Sequence, residues 1–275
     1  MNILDFALKI AAEAGEMMLI GADKGFKVKE KEKNDFVTEI DHAVEAYLID
    51  RIKKKFPNHA VLAEEGHFRD PEKVEELGES DYTWIIDPID GTRNYTRGIP
   101  YYAVSIGVFK TDHAESSQNY EYISGEIIAG VIHAPALRET FSAAKGQGTK
   151  FNGKSVRVSD IKDLEHSIFA TGFPPQHRER NLPYFEAIVQ HTGALRRSGS
   201  AAIDLAYVAA GRFDGFWEFG LHPWDIAAGA LMVEEAGGKV TDTNGAPLDL
   251  FGADILATNG LIHPQSAAVF DQIDD

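Results

Sequence analysis

Two carboxylates stand three residues apart in the run Asp87-Pro88-Ile89-Asp90-Gly91-Thr92. Pro88 fixes its own φ and keeps Asp87 out of the helical region, so the segment is partly shaped before anything binds. Carboxylates that point into one space repel unless they are protonated or bridged by a cation. Taken alone, an Asp-Pro-x-Asp string reads more often as an acidic β-turn, since Asp, Pro and Gly are ordinary turn residues. Three further acidic stations change the weighing: Glu64-Glu65, Asp225 after Trp224, and Asp41 at the end of Asn34–Asp41. Singly they have plain readings, a solvated turn for Glu64-Glu65 and helix N-caps for Asp41 and Asp225. Together with Asp87 and Asp90 they supply the hard oxygen ligands that Mg²⁺ prefers. His133 and His222 lie on different segments without metal-ligand spacing, so ordinary polar or packing roles are expected for them.

Gly91-Thr92 followed by Arg93-Asn94-Tyr95 reads as the first turn of a helix. Free backbone amides there can cradle a phosphate, and Gly91 permits close approach. Two Mg²⁺ ions roughly 4 Å apart would clamp a phosphate ester and ionise a water for in-line attack. The chain offers no competing scheme: no Gly-x-Ser-x-Gly elbow, no Walker phosphate loop and no dinucleotide fingerprint. Gly211–Gly215 follows an expected helix and reads as a turn.

These groups need elements to position them. Tyr82–Ile86 reads as a buried strand that delivers the two carboxylates at its C-terminal end, and Val61–Ala63 as a short strand running into Glu64. An amphipathic helix is expected over 2–20, with Ile3, Phe6, Ala7, Ile10, Ala14 and Met17 inward. A second follows Asp41, with Val44, Leu48, Ile49 and Ile52 as its stripe and Pro57 beyond its end. Residues 69–81 read as a charged surface excursion and 111–121 as a hairpin tip or flexible insertion. A hydrophobic run covers 102–109, and strands are expected at 125–133 and 138–144, then at 168–171 and 215–219. Helices are expected near 181–191, after Ser200, and over Asp225–Ala236 up to Gly237-Gly238. The change from antiparallel-looking strands to βα alternation near residue 160 predicts an N-terminal α+β subdomain over 1–160 and a C-terminal α/β subdomain over 161–275.

The totals narrow the function classes. At 275 residues the chain suits one large domain or two compact halves. A net charge of −16 argues against a nucleic-acid surface, and Lys53-Lys54-Lys55 is short enough to be a solvated helix face. The lack of cysteine removes disulfides, thiolate zinc sites, iron–sulfur clusters and a cysteine nucleophile. Met1–Ala7 lacks a basic segment followed by an apolar core, and no run approaches the ~18 apolar residues of a membrane span. The expectation is a cytoplasmic protein without membrane attachment.

Glu64-Glu65, the 87–92 string and Trp224-Asp225-x-Ala-x-Gly, with Gly237-Gly238 behind them, resemble the inositol monophosphatases. These are Mg²⁺-dependent, lithium-sensitive phosphatases. The resemblance spans nearly the whole chain, including Asn34–Asp41, Ala170–Pro174 and Arg196–Ala201. Asn94-Tyr95, Gly98-x-Pro100 and Ala103–Ile106 favour this branch of the superfamily. It implies an α/β (α+β) fold in α-β-α-β-α layers, a homodimer, and two or three Mg²⁺ ions per active site. By the same resemblance Glu64, Asp87 and the Ile89 carbonyl hold a first ion, Asp87, Asp90 and Asp225 a second, and Glu65 bears on a third or its waters. Thr92, supported by Asp41, would orient and deprotonate the attacking water, with Glu64 beside them. Gly91 and Thr92 amides would bind phosphate. The phosphorylated polyol would also meet Glu64, Ile89 and Asp90, its ring lying against Gly199-Ser200-Ala201, Glu218 and Asp225, with Arg196 organising that wall. Lys31 matches a basic loop position. Two departures stand out: the longer 111–121 segment, expected to alter a surface and not the metals, and Arg93, read either as extra positive charge near the phosphate or as a solvent-facing helix residue. Rival substrates within the superfamily are histidinol phosphate, fructose 1,6-bisphosphate and 3′-phosphonucleotides. A rival from another class is a protein whose main role is to bind a transcription-complex partner.

Overall fold

The computed structural model describes residues 2–32, 35–66, 80–112, 124–174, 178–252 and 254–274. Five layers alternate helix and sheet. Helices α1 (Ile3–Lys24) and α2 (Glu39–Lys55), linked through the hairpin β1 (Val28–Glu32) and β2 (Asp35–Thr38), cover one face of a seven-stranded sheet. That sheet runs β3 (Ala60–Ala63), β4 (Tyr82–Asp90), β5 (Ala103–Thr111), β6 (Gly125–Ala134), β7 (Glu139–Ala144), β8 (Thr149–Phe151) and β9 (Lys154–Val156), in sequence order. A short helix, α3 (Thr92–Thr96), follows β4. Only the edge pair β3–β4 is parallel; β4 to β9 form an antiparallel meander.

The second sheet holds five strands in the order β11 (Ala194–Arg196), β10 (Ile168–Thr171), β12 (Gly215–Phe219), β14 (Asp254–Thr258) and β13 (Lys239–Thr241). Helices α5 (Ala201–Ala209) and α6 (Pro223–Glu235) fill the space between the sheets, where Ile132, Phe141, Leu205, Ile226, Phe216 and Ile255 share one core. Helices α4 (Arg178–His191) and α7 (His263–Asp274) close the outer face over Trp217, Phe219 and Leu256. This is the α-β-α-β-α layering that the resemblance implied. Among the described residues no helix is long and apolar enough to cross a membrane.

Period-two alternation decides where the acids go. Along β4, Trp84 and Ile86 pack toward α1 and α2, whereas Ile85 packs with Trp224 and Ala227 of α6. Asp87 continues the Ile85 face, so it is carried toward α6. Helix α6 reaches the sheet closely because position 107 lacks a side chain: a Cβ on Gly107 would lie 2.8 Å from that of Ala227.

Several boundaries differ from expectation. Helix α1 runs four residues beyond residue 20, and Met18, not Met17, is its fully buried methionine. The Asp87–Asp90 segment is not a free turn after a strand. It belongs to β4, where a register shift against β5 between Asp87 and Asp90 leaves one extra residue on the β4 side. Such a bulge accommodates Pro88, which has no N–H for the ladder. Thr111 lies in β5, so the expected insertion begins later; residues 113–123, and most of the expected 69–81 excursion, fall outside the described residues. Strands β1, β2, β8, β9, β11, β13 and β14 and helix α7 had no counterpart in the sequence reading.

Candidate active site

Asp87, Asp90 and Asp225 converge, each offering a carboxylate oxygen within 4.8 Å of the others. Asp87 and Asp90 are buried and Asp225 is half-buried, and desolvation, the largest cause, pushes all three carboxyl groups up. Asp87 is raised further by the charges of Glu64, Asp90, Asp225 and Asp41, and Asp225 by those of Asp90 and Glu64. Asp90 is pushed up to about 6, the Ser200 hydroxyl and the Ala202 and Ala201 amides opposing the burial. Three adjacent acids, two buried and one half-buried, repel strongly when all are ionised. All-oxygen donors at this spacing match a hard divalent cation, so these residues fit Mg²⁺.

Each acid has one oxygen held by a backbone N–H. Ile89 N donates to Asp87 Oδ1 at 2.9 Å, Ala202 N to Asp90 Oδ2 at 2.8 Å, and His222 N to Asp225 Oδ2 at 2.7 Å. Asp41 follows the same pattern, with Thr38 N donating to Oδ2 at 2.8 Å. Asp41 and Asp225 are therefore not N-caps. They sit at the third helical position of α2 and α6 and reach back to Thr38 and His222, which occupy the cap positions.

The Asp41 Oδ1 atom lies 3.1 Å from the Thr92 hydroxyl, which is also 2.9 Å from the Ile89 carbonyl oxygen. Burial raises the Asp41 carboxyl, against hydrogen bonds from Thr38 and Thr92 that lower it. Thr92 opens α3 behind Gly91, whose left-handed φ of 90° turns the chain out of β4. Arg93 is half-buried on the same short helix.

Glu64 and Glu65 follow β3, both half-buried, and Glu65 N donates to Glu45 Oε2 at 2.7 Å. Glu45 was missed in the sequence. Its signal was weak: a carboxylate one turn after Asp41, on the buried side of α2. The expected Gly199-Ser200-Ala201 wall stands at the start of α5, with the Ser200 hydroxyl donating to Asp90 Oδ2 at 2.5 Å. Glu218 is buried on β12 and its carboxyl lies well above the usual range, first through burial, then through the charges of Asp225, Asp204 and Asp90, with Arg197 opposing. Arg197, not Arg196, is the cation that bears on Glu218 and Asp204. Arg196 is exposed and donates to the Leu195 carbonyl oxygen at 3.0 Å. The Lys31 side chain lies outside the described residues. His133 pairs with the Thr140 hydroxyl at 2.9 Å on β6, and His222 precedes α6.

Asp204 is a second missed acid. It is buried on α5 and pushed up to about 7 by desolvation, and Tyr101 Oη donates to it at 2.7 Å. A lone carboxylate inside Ala201-Ala202-Ile203-Asp204-Leu205-Ala206 was the available signal. Asn94 links the same region, donating to the carbonyls of Tyr101 at 2.7 Å and Ser198 at 2.9 Å.

The inositol monophosphatase family model matches residues 1–275. The chain belongs to this family. It is 41% identical to the Nus factor SuhB of Pseudomonas aeruginosa over 265 residues, covering 94% of this chain and 91% of that protein. It is 37% identical to the fructose-1,6-bisphosphatase/inositol-1-monophosphatase of Thermotoga maritima over 274 residues, covering 99% and 97%. The crystal structure of the extragenic suppressor protein suhB from Bartonella henselae superposes with a TM-score of 0.85 at 35% identity, covering 98% of both chains. Full-length matches mean that all the acids above lie inside the shared family region.

Proposed function

We propose that this inositol monophosphatase family member hydrolyses inositol monophosphates to inositol and phosphate in a Mg²⁺-dependent reaction. The observation that carries the reading is the Asp87–Asp90–Asp225 cluster beside the Thr92–Asp41 pair. Glu64, Asp87, the Ile89 carbonyl, Asp90 and Asp225 would hold the ions, with Glu65 at a further one. When bound, Mg²⁺ neutralises phosphate charge and lowers the pKa of coordinated water. The chain's own groups do the rest. Gly91 and Thr92 amides orient the phosphate. The Thr92 hydroxyl accepts a proton from the attacking water while passing its own to Asp41 Oδ1, and the raised pKa of Asp41 makes it a better acceptor. Glu218 and the Gly199–Ala201 turn face the alcohol, and a homodimer is part of the same reading.

The Thermotoga relative's name supports the phosphomonoesterase assignment and leaves the alcohol open between inositol and sugar phosphates. A substrate panel with Mg²⁺ tests it. Inositol 1-phosphate should be among the best substrates; a hundredfold preference for histidinol phosphate or fructose 1,6-bisphosphate would overturn the substrate assignment. The Nus factor name of the Pseudomonas relative favours a second reading, a role in binding a transcription partner. Absence of Mg²⁺-dependent turnover on every phosphomonoester of the panel would put that reading first.

A further inference from the structure

Glu218 owes its place to a missing side chain just past the end of a neighbouring strand. A Cβ on Gly172 would fall 2.0 Å from Glu218 Oε1, 2.1 Å from its Cδ and 2.2 Å from Oε2, where real Cβ atoms essentially never come within 3.0 Å. Gly172 follows β10 directly, and β10 runs parallel to β12 with Thr171 opposite Trp217, so Gly172 and Glu218 come one step further along. The backbone of Gly172 is not in the left-handed region, so an alanine there meets only this steric conflict.

Backbone movement is not an easy way out of that conflict. The fully buried Asn181 of α4 donates to the Gly172 carbonyl oxygen at 2.6 Å and to Thr171 Oγ1 at 3.1 Å. Its own Oδ1 accepts from Trp217 Nε1 at 2.7 Å, one residue before Glu218. One side chain thus ties together both strands that carry the pair. Unmaking these buried bonds costs more than rotating a glutamate, so the Glu218 carboxyl is what gives way.

We propose that Gly172 is a specificity-determining position: its lack of a side chain is the seat that fixes where the Glu218 carboxyl meets the substrate's alcohol. The inference rests on the reading of Glu218 as part of the alcohol wall. The three atoms nearest a Cβ on Gly172 all belong to Glu218, so enlarging it shifts selectivity and leaves the phosphate chemistry intact. With Gly172→Ala, KM for inositol 1-phosphate should rise roughly tenfold with kcat little changed, a loss of uniform binding. Turnover of p-nitrophenyl phosphate, which has no ring hydroxyls for Glu218, should stay within about twofold, and the Mg²⁺ dependence should not move. In a Glu218→Ala background, Gly172→Ala should leave the ratio of the two substrates where Glu218→Ala alone puts it. Thermal unfolding of each variant checks that the fold is kept. An unchanged ratio in Gly172→Ala, equal losses on both substrates, or an undiminished effect without Glu218 would overturn the inference while leaving the phosphatase reading standing. A wild-type protein that ignores inositol 1-phosphate but turns over p-nitrophenyl phosphate would overturn the substrate assignment, and this inference with it.

Discussion

Four aspartates of the site share one device: a backbone N–H holds one carboxylate oxygen of Asp41, Asp87, Asp90 and Asp225. Orientation is thereby set by the fold, and little side-chain entropy is left to lose on ion binding. Thr92 is placed by the same economy. Its hydroxyl has one hydrogen and two acceptors in reach, Asp41 Oδ1 and the Ile89 carbonyl oxygen. In the proposed reaction the Asp41 contact is the proton route, so Thr92→Ala should lower kcat by about 10²- to 10⁴-fold, the span expected for a positioned acid–base group. KM and the Mg²⁺ concentration for half-maximal rate should change by no more than a few-fold. Steady-state phosphate release checks this, and a variant with wild-type kcat would remove Thr92 from the chemistry.

At the scale of elements, helices and the long central strands were legible because their periodicity is strong. The apolar stripe Val44, Leu48, Ile52 recurs every four residues, a spacing that fits a helix and not a strand. The acidic cluster that could hold a metal was legible as residue types, since acids at strand ends and helix starts have few other uses in combination. Its mechanics were not. A carboxylate at the third helical position looks like one at the cap unless the preceding residues are weighed, and Thr38 supplies the cap that Asp41 was credited with. The β4 bulge was hidden because Asp-Pro-Ile-Asp-Gly has turn composition, and only pairing with β5 reveals that Asp87 and Asp90 are still in the sheet. Three-residue strands such as β11 and β13 carry too few side chains to show a period. Arg197 and Asp204 act through contacts between elements distant in sequence, which spacing cannot report.

At the scale of the molecule, the site joins the two sheets through α5 and α6 and concentrates negative charge in a chain already at −16. That concentration has a pH signature. Asp87, Asp225 and Glu218 are raised well above the usual carboxylate range and Asp90 to about 6. The folded state therefore holds these protons more tightly than the unfolded chain. Their contribution to stability is fully present below the unfolded values near ~4 and is lost as pH rises through the folded ones. The cation-free protein should accordingly lose melting temperature between pH 5 and pH 8. One fixed Mg²⁺ concentration should raise it more at pH 8, by about 5 °C where that concentration is a hundred times Kd. Thermal scans in EDTA and in Mg²⁺ at the two pH values check the sign, and a Mg²⁺ shift that shrinks with rising pH would contradict it. The most direct test of the central claim is phosphate release from inositol 1-phosphate during a Mg²⁺ titration, for the wild type and for Asp87→Asn. The account predicts no turnover in EDTA, a saturable rise with Mg²⁺, and at least about a thousandfold loss in a still-folded Asp87→Asn protein. Turnover that survives EDTA, or an Asp87→Asn enzyme near wild-type rate, would contradict it.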